Sequence, residues 1–285
     1  MFDYLKCITY SPITKLPSHN NLESTSALNL VSGEINQDIE VKFGRVSGTT
    51  RPFRTKIFPS NRIETGGSIH KFYKDSGNNN DFTYSQFLDS LKELESSYGF
   101  DILNQPLIQL EFGVMVDHIG DPWNFISSII SSYQGNDSET LSTKHGRSIG
   151  RVIKFRDYRI KFYVKPFENR ELLRIEIHYQ RSRAIRKLGV NSLNDLTKQP
   201  VLRAIIDDFN SKLDNIYSVE RESFDKLPSD SQIWLYKTLA GQTWKDMTSM
   251  QRRRAKERIL KLGSNQPLFN IRGVINNKIN ELTAS

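Results

Sequence analysis

Two strand-like runs joined by a short polar loop constrain the fold of this chain more than any other feature. In YRIKFYVK (158–165) and ELLRIEIHYQ (171–180), apolar and polar side chains alternate. Because successive side chains of a strand point to opposite faces, each run has one apolar face and one polar face. The pattern predicts a strand pair in an antiparallel sheet, with its apolar face against the core.

A third run, PLIQLEFGVMVD (106–117), has the same alternation and places Glu111 opposite its aliphatic residues. If the three runs share a sheet, one surface of that sheet carries a set of polar side chains. The members of this set are Glu111, Tyr163, Lys165, Glu176 and His178. A solvated strand face is the simpler interpretation of alternating charge, and the coincidence of three runs favours a functional one.

The order of the predicted elements is strands with two inserted helices, followed by helices. We therefore expect an α+β fold, with an antiparallel sheet, helices packed on one face and a helical C-terminal region. We expect a domain of residues 1–222 and a helical region of residues 223–285. SIHKFYK (68–74) is predicted as a strand, DPWNFISSIISSY (121–133) as a helix capped by Asp121, and residues 132–148 as a loop.

Positive charge is concentrated in two parts of the chain. The net charge is +8 over 285 residues, but residues 144–190 alone hold 14 Lys and Arg against 4 Asp and Glu. Residues 245–285 hold 9 against 3. Such segregation predicts a face that binds a polyanion, most commonly nucleic acid, although a basic but inert surface remains an alternative.

The polar surface suggests metal-assisted phosphodiester chemistry. Two carboxylates, Glu111 and Glu176, with the imidazole of His178, suit a hard divalent cation such as Mg²⁺ or Mn²⁺. A nearby tyrosine, Tyr163, can attack phosphorus to form a covalent phosphotyrosine, and Lys165 would favour its phenolate. The chain contains no GxxxxGK[ST] loop, so the sequence predicts no ATP-driven helicase.

Four short motifs resemble the filamentous-phage gene II/X family of replication proteins. YVKPFE (163–168) and LLRIEIHYQRSRAIRKLGV (172–190) are similar to a Tyr-x-Lys-x-x-Glu motif followed by an Arg-hydrophobic-Glu strand and a basic segment. GSIHKFYK (67–74), preceding NNNDFTYSQF (78–87), and LEFGV (110–114) occur in the same order in related phage and plasmid proteins. Val164 departs from the aspartate that follows the tyrosine in many relatives, and no His-hydrophobic-His motif is present.

The resemblance implies an initiator of rolling-circle replication that nicks one strand and stays joined to the 5′ phosphate. Tyr163 would be the nucleophile, Lys165 the motif lysine, Glu111 and Glu176 metal ligands, and Arg174 a phosphate contact. The resemblance also implies Mg²⁺ or Mn²⁺ as the metal and no organic cofactor. It implies single-stranded or hairpin origin DNA as the substrate, and a host helicase and polymerase as partners. A transposase or relaxase with the same chemistry, and a catalytically inactive origin-binding protein, are alternatives.

The basic segments supply the candidate DNA contacts. They are Lys161, Arg174, Arg181, Arg183, Arg186, Lys187, Arg252, Arg253, Arg254 and Arg258. The N-terminal residues lack the pattern of a secretory signal and the single cysteine, Cys7, allows no internal disulfide. We therefore expect a protein of the bacterial cytoplasm, without a membrane partner.

Overall fold

A computed structural model of the chain describes most of its residues. The described residues are 1–10, 22–28, 35–41, 53–57, 62–73, 80–97, 101–117, 121–132, 135–143, 145–219, 224–239, 241–262 and 272–284. The predicted boundary between residues 222 and 223 lies outside these ranges, and the two-domain division stays a prediction.

The described residues form strands first and mostly helices later. The strands are β1 (Phe2–Tyr10), β2 (Leu22–Leu28), β3 (Ile35–Val41), β4 (Arg54–Ile57), β5 (Arg62–Ser68), β6 (Leu107–Val116), β7 (Ile129–Ser132), β8 (Ser138–Ser142), β9 (Ser148–Lys154), β10 (Tyr158–Phe167), β11 (Arg170–Tyr179) and β12 (Ile216–Val219). The helices are α1 (Ile69–Tyr73), α2 (Tyr84–Ser97), α3 (Pro122–Ser127), α4 (Ser182–Arg186), α5 (Gln199–Leu213), α6 (Ser229–Leu239), α7 (Gly241–Asp246), α8 (Ser249–Leu262) and α9 (Arg272–Ala284), with a short 3-10 helix at Asn194–Thr197.

The main sheet has eight strands in the order β4-β5-β1-β6-β11-β10-β9-β8. The pairings β1–β5, β1–β6, β9–β10 and β8–β9 are antiparallel. Two smaller sheets, β7–β12 and β2–β3, are also antiparallel pairs. The predicted α+β class, with an antiparallel sheet and a helical C-terminal region, is confirmed.

Capping residues fix where two of the longer helices begin. At α2, the Thr83 N–H donates to the side-chain oxygen of Gln86 at 3.1 Å, and the Gln86 N–H donates to the Thr83 hydroxyl at 3.3 Å. The same reciprocal pair forms between Thr248 and Gln251 at α8, at 2.8 and 3.3 Å. This capping box satisfies N–H groups that the helix leaves without partners, and it holds the first turn in place.

Three predicted elements are wrong in type. The predicted strand at 68–74 is helix α1, because the Ser68 hydroxyl accepts the Lys71 N–H at 3.2 Å and caps a helical turn. The predicted helix at 121–133 does begin after the Asp121 cap but ends at Ser127, and its last residues pair as β7 with β12. The predicted loop at 132–148 contains β8, which extends the main sheet beyond β9.

The chain divides into two compact units by its internal contacts. The first comprises residues 1–113, 178–206 and 282–285, and Phe2 packs in its core with ring-centroid distances of 4.4 Å to Phe87 and 5.5 Å to Phe112. The second comprises residues 114–177 and 207–281, and Trp244 and Ile259 belong to one of its buried clusters. Within the described part of the chain, no helix combines the length and apolar character needed to cross a membrane.

Candidate functional site

The β10–β11 hairpin separates apolar from polar side chains as the alternation predicts. Ile160 and Phe162 of β10 are fully buried, whereas Lys161 and Tyr163 of the same strand are partly exposed. In β11 both faces are buried, from Leu172 to Tyr179. The polar set is therefore mostly enclosed rather than a solvated strand face. Its buried members and their exposed fractions are Glu111 7%, Lys165 7%, Glu176 0% and His178 8%, and the predicted phosphate contact Arg174 is 3% exposed.

Glu176 is the centre of a charged cluster in this hairpin. Lys161 Nζ lies 2.8 Å from Glu176 Oε2, and Arg174 Nε donates to Glu176 Oε1. The Tyr163 hydroxyl donates to the same Oε1 at 2.8 Å. A buried carboxylate is costly unless it is paired and hydrogen-bonded, and two cations and a phenol supply those partners here.

This cluster orients the predicted nucleophile. The hydrogen bond to Glu176 fixes the direction of the Tyr163 hydroxyl and places a carboxylate where it can accept the phenolic proton. Lys161 and Arg174 add positive charge beside the same oxygens, which favours an anionic group such as a phosphate. The arrangement is suited to nucleophilic attack by a tyrosine on a phosphodiester.

A second polar cluster surrounds Glu111 on β6. His178 Nδ1 lies 3.3 Å from Glu111 Oε2, so the two groups form an ion pair when the imidazole is protonated. The Tyr4 ring lies 5.9 Å from the His178 ring, between centroids. Burial, followed by the charges of Glu64 and Glu111, raises the pKa of the Tyr4 hydroxyl, so this phenol ionises at a higher pH than a free tyrosine.

Two buried carboxylates, those of Asp3 and Glu111, lie close together in the first compact unit. Each offers an oxygen, and these two oxygens lie within 4.8 Å of each other. Oxygen donors are what Mg²⁺ and Mn²⁺ prefer, so the chemistry of these residues fits the predicted metal. The Ser68 hydroxyl donates to Asp3 Oδ1 and orients that carboxylate. His178 contacts Glu111 through its Nδ1 atom.

Asp3 was missed because the register of β1 changes next to it. Leu5 and Cys7 are buried, and simple alternation from them places Asp3 on the apolar face. However, Phe2 pairs with Phe112 and Leu5 pairs with Leu110. Between these two pairs β1 advances by three residues and β6 by only two, so β1 contains a bulge. Such a bulge re-aims side chains, and an isolated sequence gives no signal for it.

The basic residues that follow β11 lie on a short exposed helix. Arg181 precedes α4, and Ile185 is the buried residue that anchors the helix. The predicted contacts Arg181, Arg183, Arg186 and Lys187 are all exposed. This segment therefore presents several cationic side chains to solvent, as a phosphate-binding surface requires.

The predicted basic residues of α8 have different surroundings. Arg252 donates to the backbone carbonyls of Trp244 at 3.0 Å and Lys245 at 2.9 Å, which ties α8 to α7. Arg253 Nε lies 3.7 Å from Glu257 Oε1. The Arg258 guanidinium stacks over the Trp234 ring, 4.0 Å from its centroid. Arg252 thus has a structural role that the sequence did not predict.

Comparison with known proteins leaves this geometry as the main guide to function. No protein-family model matches the chain, and no curated protein sequence matches it significantly.

Proposed function

We propose that this protein is a DNA nicking and joining enzyme that initiates rolling-circle replication through Tyr163. The observation that carries the proposal is the 2.8 Å hydrogen bond from the Tyr163 hydroxyl to the buried Glu176 carboxylate, with Lys161 and Arg174 on the same carboxylate. This contact gives a partly exposed tyrosine a base for its proton and a cationic environment for a phosphate.

The proposed step is an exchange of one phosphodiester for another. The Tyr163 oxygen attacks the phosphorus of the origin strand, the phenolic proton passes to Glu176, and the bond from phosphorus to the 3′ oxygen breaks. The released 3′ oxygen takes a proton from water and becomes the hydroxyl that primes synthesis. In the closing step a 3′ hydroxyl gives its proton to the hydroxide left by the first step and attacks the phosphotyrosine. The bond from phosphorus to the Tyr163 oxygen breaks, and that oxygen takes its proton back from Glu176.

A divalent cation would be held by the carboxylates of Asp3 and Glu111. When bound, Mg²⁺ or Mn²⁺ would neutralise the phosphate and polarise it for attack. Lys165, buried on the same strand as Tyr163, adds positive charge to this polar face. The proposal requires no organic cofactor.

The partners follow from the chemistry. The substrate is single-stranded or hairpin origin DNA, and the exposed basic residues around α4 supply sequence-independent phosphate contacts. A host helicase would separate the strands and a host polymerase would extend the free 3′ end, so the proposed compartment is the bacterial cytoplasm. A transposase or relaxase would use the same tyrosine on a different DNA site.

The covalent intermediate provides the direct test. Labelled single-stranded oligonucleotides from the replicon of this protein are incubated with the protein and Mn²⁺, and a covalent adduct is sought on a denaturing gel. We expect an adduct with the unmodified protein and none with Tyr163→Phe. Tyr158→Phe makes the same change on the same strand and should retain the adduct. An adduct that persists in Tyr163→Phe would exclude this tyrosine as the nucleophile.

An origin-binding protein without catalysis is the second candidate, and one observation favours it. Both oxygens of Glu176 already have cationic partners, so this carboxylate is well accommodated as a structural group. This alternative keeps the basic surfaces and predicts specific binding with no adduct on any origin-containing DNA.

A further inference from the structure

A pocket in the C-terminal helices has features that the proposed chemistry does not use. It has a volume of about 270 Å³. Its wall is formed by α6, by the connection between α7 and α8, and by α8. Its lining residues are Trp234, Met247, Gln251, Arg254, Ala255 and Arg258. Small-molecule pockets commonly span about 300–1,000 Å³, so this one suits a group the size of a single base.

The pocket has a preorganised aromatic wall. The Trp234 ring packs on a buried cluster that includes Leu235 and Ile259, and the Arg258 guanidinium lies over that ring at 4.0 Å. A guanidinium held over an indole is itself a flat surface on which a base can stack. The wall is therefore in place before any ligand binds.

The helix that carries the two arginines is held rigidly. The Thr248–Gln251 capping box fixes its first turn, and Arg252 binds the backbone carbonyls of Trp244 and Lys245. Ala255 is buried at the base of the pocket, where a larger side chain would take up its space. These contacts keep Arg254 and Arg258 at the pocket rather than elsewhere on the surface.

The charge of this helix selects an anionic occupant. Helix α8 carries six Lys or Arg side chains and one Glu. Arg254 and Arg258 line the pocket and are exposed. Arg253, which does not line the pocket, is paired with Glu257. An anion with a flat apolar body satisfies both the arginines and the Trp234 wall, and a nucleotide has both properties.

We propose that this pocket binds one nucleotide of single-stranded DNA. The base stacks on the Trp234–Arg258 pair, next to Met247, and the adjacent phosphate is bound by Arg254. A base within a duplex is already stacked and cannot enter, so the pocket selects single strands. This binding needs neither Tyr163 nor a metal, and it adds a strand-holding site to the proposed nicking function.

The test separates base stacking from simple charge attraction. Binding is measured by fluorescence anisotropy in EDTA, with the Tyr163→Phe protein, so that no covalent step contributes. The probes are a labelled oligothymidylate and an abasic oligonucleotide of the same length and charge, at one salt concentration. We expect the abasic strand to bind about 10- to 100-fold more weakly, since base–aromatic stacking is sequence-tolerant and strong.

Two variants locate the effect at the pocket. Trp234→Ala and Arg258→Gln are each expected to weaken oligothymidylate binding about 10-fold or more. Their binding of the abasic strand should change much less. Arg258→Gln is the safer variant, because it alters an exposed side chain and leaves the buried cluster intact. Lys261→Gln removes one positive charge from an exposed position of the same helix that does not line the pocket, and it is the matched control.

The outcomes that overturn the proposal are distinct from those that overturn the nicking function. Equal affinity for the two strands would exclude base recognition. Equal losses for both strands in Arg258→Gln, or equal losses in Lys261→Gln and Arg258→Gln, would show a basic face without a nucleotide pocket. A strand-binding pocket found together with no adduct at Tyr163 would retain this inference and remove the proposed catalysis.

Discussion

Gly150 of β9 pairs with Tyr163 of β10, and the two backbones approach closely at this point. A Cβ atom placed on Gly150 would lie 2.1 Å from the Phe162 carbonyl oxygen and 2.6 Å from the Tyr163 Cα. Both neighbours are backbone atoms and cannot rotate away, so any larger residue must push the strands apart. The position of the proposed nucleophile therefore depends on a glycine in the neighbouring strand.

We expect Gly150→Ala to lower both stability and covalent adduct formation. The strain should cost about 1–3 kcal/mol in the free energy of unfolding, as for other overpacked positions. Displacement of Tyr163 should reduce the adduct yield further than the stability loss alone explains. Urea unfolding and the adduct assay measure the two effects.

Gly273→Ala is the matched control for this change. Gly273 is exposed in the first turn of α9, and a Cβ there meets nothing within 4 Å. Alanine is the better helix former, so this variant should be neutral or slightly stabilising. Similar unfolding curves for the two variants would contradict the close approach of β9 and β10.

Glu176→Gln should be strongly destabilising as well as inactive. Removal of the negative charge leaves the buried Arg174 and the partly exposed Lys161 beside a neutral amide, and breaking a buried ion pair costs about 3–5 kcal/mol. The proton acceptor for Tyr163 is lost at the same time. Thermal or urea unfolding gives the stability change, and the adduct assay is performed below the unfolding midpoint.

Glu139→Gln provides the surface comparison for Glu176→Gln. Glu139 pairs with Lys154 at 2.5 Å, and both side chains are more than half exposed. Exposed pairs contribute about 0–1 kcal/mol, so this variant should unfold almost as the unmodified protein does. If Glu176→Gln were as mild as Glu139→Gln, the charged cluster would not be a major source of stability.

Metal binding should depend on a residue that the sequence did not reveal. We expect Mn²⁺ to raise the unfolding temperature of the protein and Asp3→Asn to reduce that rise, since binding to the folded state alone stabilises it. Isothermal titration with Mn²⁺ measures the affinity. Asp89→Asn changes an exposed carboxylate paired with Lys92 and should leave the affinity unchanged.

If Asp3→Asn bound Mn²⁺ as tightly as the unmodified protein, Asp3 and Glu111 would not form the metal site. The same titration on Glu111→Gln tests the second carboxylate, because glutamine keeps the size of the side chain and removes its charge.

Local patterns in the sequence predicted the hairpin but not everything that surrounds it. Alternation placed Tyr163 and Glu176 on faces that meet, since the side-chain period of a strand is fixed by the backbone. The helix start at Asp121 followed from its ability to accept the Trp123 N–H, seen at 2.9 Å. These features depend on neighbouring residues alone.

Features that depend on distant residues could not be predicted. Ile129 and Ile130 continue a helical spacing, yet they form β7 because β12, almost ninety positions later, pairs with them. Asp3 lies beside Glu111 only because β1 has a bulge where it pairs with β6. The Trp234–Arg258 pocket requires α6 and α8 to pack together, which no single helix pattern indicates.

The raised pKa of Tyr158 in β10 predicts how the free energy of unfolding depends on alkaline pH. Burial, followed by the charges of Asp208 and Asp157, raises the pKa of Tyr158 to about 12. A phenol whose pKa is higher in the folded than in the unfolded state stabilises the fold. This contribution is complete at pH values below the unfolded pKa, which is about 10. That contribution is lost as the pH rises from about 10 through 12.

We therefore expect the free energy of unfolding to fall more steeply between pH 10 and 12 in the unmodified protein than in Tyr158→Phe. Phenylalanine keeps the ring that stacks on Phe155 at 4.5 Å and lies under Lys212, but has no proton to lose. Urea unfolding at pH 9, 10, 11 and 12 measures the difference. Tyr236→Phe, at a position 71% exposed, controls for the general effect of alkali and should follow the unmodified protein. Identical slopes in Tyr158→Phe and the unmodified protein would show that Tyr158 ionises without opposing the fold.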